Sequence, residues 1–231
     1  AYTILAASLA YQFGLEWGVA TDASGNVYVS ESDSPNLRVQ RFTATGTYVS
    51  QFALDTFRAR GIAVDPTGNI YVVDPVWNEI SRYSPAGVRL ARWGGTGSGN
   101  GQFNAPNGIA IDAAGNVYVA DTGNNRIQKF TATGTFVTAW GTAGSGNSQF
   151  ANPGGVAVDP AGFVYVADTG NNRLQKFTVT GTYLTQWGST GTGNGQFDGP
   201  VGVAVNASGT IYVAESNNMR VQVFAAGSPT T

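Results

Sequence analysis

The chain has 231 residues, of which 11% are charged, and its 12 basic against 14 acidic side chains leave a net charge of −2. Phosphate binding needs clustered Lys and Arg, so nucleic acid is not an expected partner, and no apolar run approaches the roughly 20 residues that would predict membrane insertion. Neither Cys nor His occurs, which excludes disulfides, thiolate and imidazole metal ligands, cysteine nucleophiles and every histidine-based acid–base device.

In chain order, the first segment with strand character is Tyr2-Thr3-Ile4-Leu5, followed by Gln12-Phe13 and then by Gly18, which opens the sequence GVATD. The pattern Gly-apolar-Ala-apolar-Asp returns as GIAVD at Gly61, GIAID at Gly108, GVAVD at Gly155 and GVAVN at Gly202, at spacings of 43, 47, 47 and 47 residues. Over 47 positions the units opening at Gly108 and Gly155 share 31 identities, the mark of duplication. Each unit holds four short β runs; in the third they are 108–111, 116–121, 126–130 and 135–140. Turns ending in Gly115 and Gly134 separate them, and glycine accepts the positive φ such turns need. No segment carries the 3.6-residue period of an amphipathic helix. Four strands per repeat predict an all-β, five-bladed β-propeller occupying residues 1–231 as one domain. Because the last unit stops after its third strand, 220–224, residues 1–17 are expected to complete the last blade and cover edges otherwise exposed. Residues 225–231 (AAGSPTT) read as a linker-like tail.

The repeat pattern, the run NVYVADTGNNRIQKF and the prolines Pro106, Pro153 and Pro200 ahead of the repeat glycines resemble the NHL repeat family. The resemblance implies four-stranded NHL-type blades. It implies no single function, because such propellers include RNA-binding, protein-binding, sensor and lyase members. Metal-dependent lyases of this fold use histidines, which this chain lacks. Many relatives have six blades, so five are a departure.

The repeat accounts for most charges. Asp22, Asp65, Asp112, Asp159 and the variant Asn206 open the first turn, where a short side chain bonds to the backbone two residues on. A second acid recurs as Glu31, Asp74, Asp121, Asp168 and Glu215, and Arg38, Arg126, Arg173 and Arg220 open the third strand. An acid–Arg pair framing each intervening loop is expected to be structural. Arg41, Arg82, Lys129 and Lys176 are expected on an exposed blade face, and Trp93, Trp140 and Trp187, ending equivalent fourth strands, as packing residues.

The second unit breaks this pattern. Glu79 replaces the arginine, so Asp74 loses its local partner and Arg58 or Arg60 is expected to neutralise the pair. Trp77 lies in the loop that elsewhere reads DTGNNR, and Trp17 takes the position held by Arg60, Asn107, Gly154 and Val201 beside the channel mouth. Trp17, Arg58, Arg60, Asp74, Trp77 and Glu79 therefore form the candidate ligand-binding set. The glycine-rich loops 94–103, 141–150 and 188–197 lack the G-x-G-x-x-G spacing and open no helix, so nucleotide binding is not expected. The run DTGNNR lacks the later acidic ligand of a calcium loop.

No cofactor, metal or catalytic residue is expected. The reading is a non-enzymatic binding or scaffolding module recognising a protein, peptide or glycan on one propeller face. The alternatives are a carbohydrate-active lyase or hydrolase using Asp74 and Glu79, or a structural unit of a larger surface protein. Low charge with abundant Gly, Thr, Ser and Asn suits a bacterial extracellular, cell-surface or periplasmic protein, either a monomer or one domain of a larger chain.

Overall fold

The computed structural model describes residues 16–33 and 36–225. Five antiparallel blades follow one another along the chain. Blade one comprises β1 (Glu16–Thr21), β2 (Val27–Asp33), β3 (Asn36–Phe42) and β4 (Tyr48–Ala53). Blade two comprises β5 (Ile62–Val64), β6 (Ile70–Asp74), β7 (Glu79–Tyr83) and β8 (Arg89–Gly94). Blade three comprises β9 (Ile109–Ile111), β10 (Val117–Asp121), β11 (Arg126–Phe130) and β12 (Phe136–Trp140). A two-residue parallel pair, β13 (Thr142–Ala143) with β14 (Gln149–Phe150), pins the loop into blade four. Blade four comprises β15 (Val156–Val158), β16 (Val164–Asp168), β17 (Arg173–Phe177) and β18 (Tyr183–Trp187). Blade five shows β19 (Pro200–Val205), β20 (Ile211–Glu215) and β21 (Arg220–Phe224). Its expected fourth strand at residues 2–5, and the tail beyond Ala225, lie outside the described residues.

The first strands of all five blades line one axial cavity of about 400 Å³, walled by Val, Ile and Ala with Thr21. The second strands of blades two, three and four are buried along their whole length. That is why Val-Tyr-Val-Ala reads as an unbroken apolar run rather than an alternation: each of these blades is covered by a neighbour on either side. Among the described residues four interblade cores result, joining blade one to two, two to three, three to four and four to five.

The expected packing tryptophans seal these junctions. A Cβ on Gly134 would stand 2.6 Å from the Trp93 ring, and one on Gly181 would stand 2.6 Å from Trp140. Both glycines also hold φ near +87° and +86°, so the turn and the close approach select the same residue.

The cations expected on an exposed face are in fact partly buried over tyrosine rings. Arg41 lies over Tyr28, Arg82 over Tyr71, and Lys129 over Tyr118 with its Nζ 4.9 Å from the centroid. Arg41, Arg82 and Lys129 also pair at 3.7–3.9 Å with the turn acids Asp22, Asp65 and Asp112. Their alkyl stems cover the tyrosine while the charge reaches the turn. Strand alternation alone would have placed them outward; the neighbouring blade covers that side.

Candidate functional site

The regular blades show what the recurrent charges do. Asp121 is fully buried and accepts from the Asn104 backbone N–H at 2.8 Å, Asn124 Nδ2 at 2.9 Å, Arg126 Nε at 2.7 Å and Gln128 Nε2 at 3.0 Å. Arg126 in turn donates to the carbonyl oxygens of Gly99 and Gln102. One acid, one arginine and one glutamine thus clamp the incoming glycine-rich loop onto the second and third strands. The same clamp recurs at Asp168 with Arg173 and Gln175, and at Glu215 with Arg220 and Gln222. Glu31 bonds Arg38 and Gln40 in blade one. The acid–Arg pairs are structural, as expected from their recurrence. Bonds from Arg220, the Asp198 amide, Asn218 and Gln222 outweigh burial at Glu215 and hold its carboxyl below the ordinary range.

Blade two is wired differently. Asp74 is buried, and its two oxygens accept only backbone N–H groups: Phe57 at 2.6 Å and Arg58 at 3.3 Å on one, Val76 at 2.8 Å and Trp77 at 3.0 Å on the other. Neither Arg58 nor Arg60 neutralises Glu79, contrary to expectation. Arg92, one strand away on β8, sits 3.1 Å from the Glu79 carboxylate. That contact is an ion pair without the alignment of a hydrogen bond, since the same oxygen has no hydrogen-bond donor. Ser81 occupies the position where the other blades carry the clamp glutamine.

These changes release side chains to the rim. The Trp77 ring is 44% exposed and Phe57 62%, with centroids 6.4 Å apart, and Val76 beside them is exposed too. The Arg92 guanidinium lies 5.7 Å from the centre of the Trp77 ring. Phe57, Val76, Trp77 and Arg92 thus form one apolar and cationic patch, rimmed by Glu79. On the same loop, burial and then the neighbouring Arg58 charge hold Arg60 below the ordinary guanidinium value.

Backbone groups contribute as well. Thr122 and Thr169 donate their hydroxyls to the Pro153 and Pro200 carbonyl oxygens of the next blade, at 2.8 and 2.7 Å. Pro75 takes that position in blade two and has no hydroxyl, so the Pro106 carbonyl lacks this donor. Asn78 keeps Ala105 and Pro106 next to Trp77, accepting the Ala105 N–H at 2.6 Å.

Of the six residues singled out from sequence, the fold brings Arg58, Arg60, Asp74, Trp77 and Glu79 to the loops of one blade. Trp17 falls in β1, and its side chain lies outside the described atoms. Sequence reading missed Phe57, Val76 and Arg92. A signal existed for two of them: Phe57 stands where the other loops carry Asn104, Ala151 and Asp198, and Val76 stands where they carry Gly123 and Gly170. Among the described residues no group of three or more acids is placed to hold a metal ion, and no helix is long and apolar enough to cross a membrane.

Comparison with known proteins agrees with this architecture. The NHL repeat profile matches residues 103–130, 150–177 and 197–224. No curated protein matches the sequence. Among solved structures, the nidogen/laminin complex aligns with a TM-score of 0.69 at 19% identity, over 91% of this chain and 75% of that one. A streptogramin B lyase structure aligns with a TM-score of 0.67 at 18% identity, over 93% and 70%. A catalytically inactive histidine-to-alanine form of virginiamycin B lyase from Staphylococcus aureus, solved with quinupristin, aligns with a TM-score of 0.64 at 16% identity, over 93% and 71%. At these identities the likeness is one of fold. Repeat pattern, profile matches and blade architecture agree: the chain is a five-bladed β-propeller whose third to fifth repeats match the NHL repeat.

Proposed function

We propose that this propeller is a non-enzymatic recognition module that binds an extended, acidic segment of a protein partner across the blade-two loops. The observation that carries the reading is the exposed Phe57–Trp77 pair with Arg92 over the indole, on the one blade whose loop clamp is rewired. Aromatic faces supply contact area with little conformational entropy to lose. The Arg92 guanidinium over the indole favours a carboxylate. These features favour a peptide over a neutral glycan. A nidogen/laminin complex among the structural neighbours fits a protein-binding use of the fold.

The lyase neighbours motivate a second reading, catalysis by Asp74 and Glu79. Two observations weigh against it. The Asp74 carboxylate is engaged by four backbone N–H groups, two on each oxygen, which occupies it structurally. A lyase neighbour is inactive once a histidine is replaced, and this chain has no histidine.

The test is a thermal-shift and titration screen of the chain against acidic aromatic peptides, neutral peptides and neutral oligosaccharides. A ligand at about 100 times its Kd stabilises the native state by about 2.7 kcal/mol. Shifts are expected from acidic aromatic peptides and should vanish in Trp77→Ala. A shift from oligosaccharides alone, or turnover lost in Asp74→Asn, would overturn the proposal.

A further inference from the structure

The loop into blade two lacks the fastenings that hold the loops into blades three, four and five. There a phenylalanine, Phe103, Phe150 or Phe197, is fully buried against Phe130, Phe177 or Phe224, with ring centroids 5.6–5.8 Å apart. Two residues earlier a backbone N–H, of Gly101, Ser148 or Gly195, donates to the clamp glutamine at 2.9–3.1 Å. In blade two Thr56 takes the phenylalanine position, and its buried Oγ1 has no hydrogen-bond partner among the described residues. Ser81 takes the glutamine position, so the Leu54 N–H donates instead to the Leu37 carbonyl of blade one at 2.8 Å. The start of the loop is therefore tied to the preceding blade, not to the blade whose rim carries Trp77.

Three other departures from the repeat meet at one point. Asp55 stands where Gln102, Gln149 and Gln196 stand. Tyr83 stands where Phe42, Phe130, Phe177 and Phe224 stand, and Arg89 where Tyr48, Phe136 and Tyr183 stand. Tyr83 is 2% exposed, and its hydroxyl donates to Asp55 Oδ1 at 2.5 Å. The other Asp55 oxygen pairs with Arg89. Tyr83 thus ties the loop to the third strand of blade two, and Arg89 ties it to the fourth. The ion pair is half-exposed and contributes little alone. A buried phenol donating to a carboxylate is the stronger tie, and Arg89 keeps that carboxylate turned toward it. Each departure needs the others: without Asp55, the Tyr83 hydroxyl would be a buried donor with no acceptor, which is costly.

We infer that Asp55, Tyr83 and Arg89 are positioning residues of the recognition surface, latching the 54–58 loop onto blade two so that Phe57, two residues on, is held beside Trp77. The inference rests on the peptide-binding reading above for its consequence, although its geometry stands without it. A loop fixed before the ligand arrives loses less entropy on binding.

Amide exchange and peptide titration of the 231-residue chain test the latch. Tyr83→Phe installs the residue that the other blades carry and removes one hydroxyl, so the aromatic core of the blade is kept. The Phe57 and Arg58 amides are then expected to exchange about 10-fold faster. Those of Asn104 and Ala151, the counterparts bound to Asp121 and Asp168, should keep their rates. Affinity for an acidic aromatic peptide should fall by about 10-fold in the same variant. Asp55→Ala should act alike, and combining it with Tyr83→Phe should add nothing further. Unchanged exchange at Phe57 and Arg58 in both single variants overturns the inference. So does faster exchange with unaltered affinity, because Phe57 would then need no positioning, and so does an equal rise at Asn104 and Ala151, because the hydroxyl would then serve the whole fold. A wild-type chain that binds no acidic aromatic peptide would refute the recognition reading instead, while the exchange contrast, measured without ligand, would still decide whether the loop is latched.

Discussion

Replacing Trp77 with Ala separates a recognition surface from a packing position. Emptying a core Trp costs about 3–5 kcal/mol, part of it from the sealed cavity left behind. Trp187, 6% exposed and packed against Phe224, should fall in that range. Trp77 is 44% exposed, so about half the transfer contribution is already forgone and water fills the space. The Arg92 contact at 5.7 Å adds about 0.5–1 kcal/mol at an exposed site. The expected loss for Trp77→Ala is therefore about 1.5–2 kcal/mol, with peptide binding abolished. Urea unfolding of both variants, compared at matched m-values, reads the difference. Equal losses for Trp77→Ala and Trp187→Ala would show that the half-exposed ring is holding the blade together, and the surface argument would fail.

Three further outcomes follow from the packing and the charges. Asp121→Asn should cost about 3–5 kcal/mol in chemical denaturation, because Arg126 is left as a poorly compensated charge gripping the loop carbonyls; a loss under about 1 kcal/mol would mean the clamp is dispensable. Gly134→Ala brings a Cβ to 2.6 Å from Trp93 at φ +87° and should lower stability by about 2 kcal/mol or more, with altered tryptophan fluorescence as the local sign. In pH titrations, burial works against charge on Asp22 and Asp65, but bonds to Asn26, Tyr28 and Ser24, and to Thr67 and Asn69, outweigh it and lower both carboxyls below the ordinary 3.8. That stabilisation is present above pH 3.8 and is lost as pH falls through the depressed folded values. Burial, with help from the turn acids, raises the Tyr71, Tyr118 and Tyr165 phenols, so their contribution holds below pH 10.0 and is lost as pH climbs above it. Stability that stays flat from pH 9 to 12 would contradict burial of these hydroxyls.

Repeat logic made the fold and the clamp legible because both are local to a unit. The acid and its arginine are five residues apart in blades three to five, so their pairing could be read from spacing alone. What escaped were contacts between blades or strands whose register the repeat does not encode. Arg92 reaches Glu79 across the sheet from the fourth strand, whereas Arg58 and Arg60, on the loop into the blade, seemed the natural partners on paper. Lys129 looked outward by alternation, yet its Nζ also reaches the Val179 carbonyl of the next blade. The candidate site was legible only as a departure: Trp77 and Glu79 announced it by breaking the pattern. Phe57 broke the same pattern, but its shorter loop hid the alignment with Asn104 until the shared bond to the blade's acid revealed it.

The departure in blade two has one physical cause. In blades three to five the clamp arginine is satisfied by carbonyls of a long glycine-rich loop, as Arg126 is by Gly99 and Gln102. The loop into blade two is shorter, since its repeat spacing is 43 rather than 47 residues, and so removes the counterpart of that grip. An arginine at position 79 would then be held by Asp74 alone, whose oxygens already receive four backbone N–H groups. Once the backbone satisfies the acid, residues 57, 76 and 77 carry no structural duty and are free to be aromatic and apolar at the rim. Glu79→Arg discriminates this account from simple drift. If blade two were a decayed clamp, restoring the arginine would stabilise it. On the present geometry it removes the partner of Arg92 and sets two like charges together, so a loss of about 1 kcal/mol is expected with weakened binding of acidic peptides. A gain in stability would show that the clamp can re-form without its loop, and the patch would then be an accident of drift.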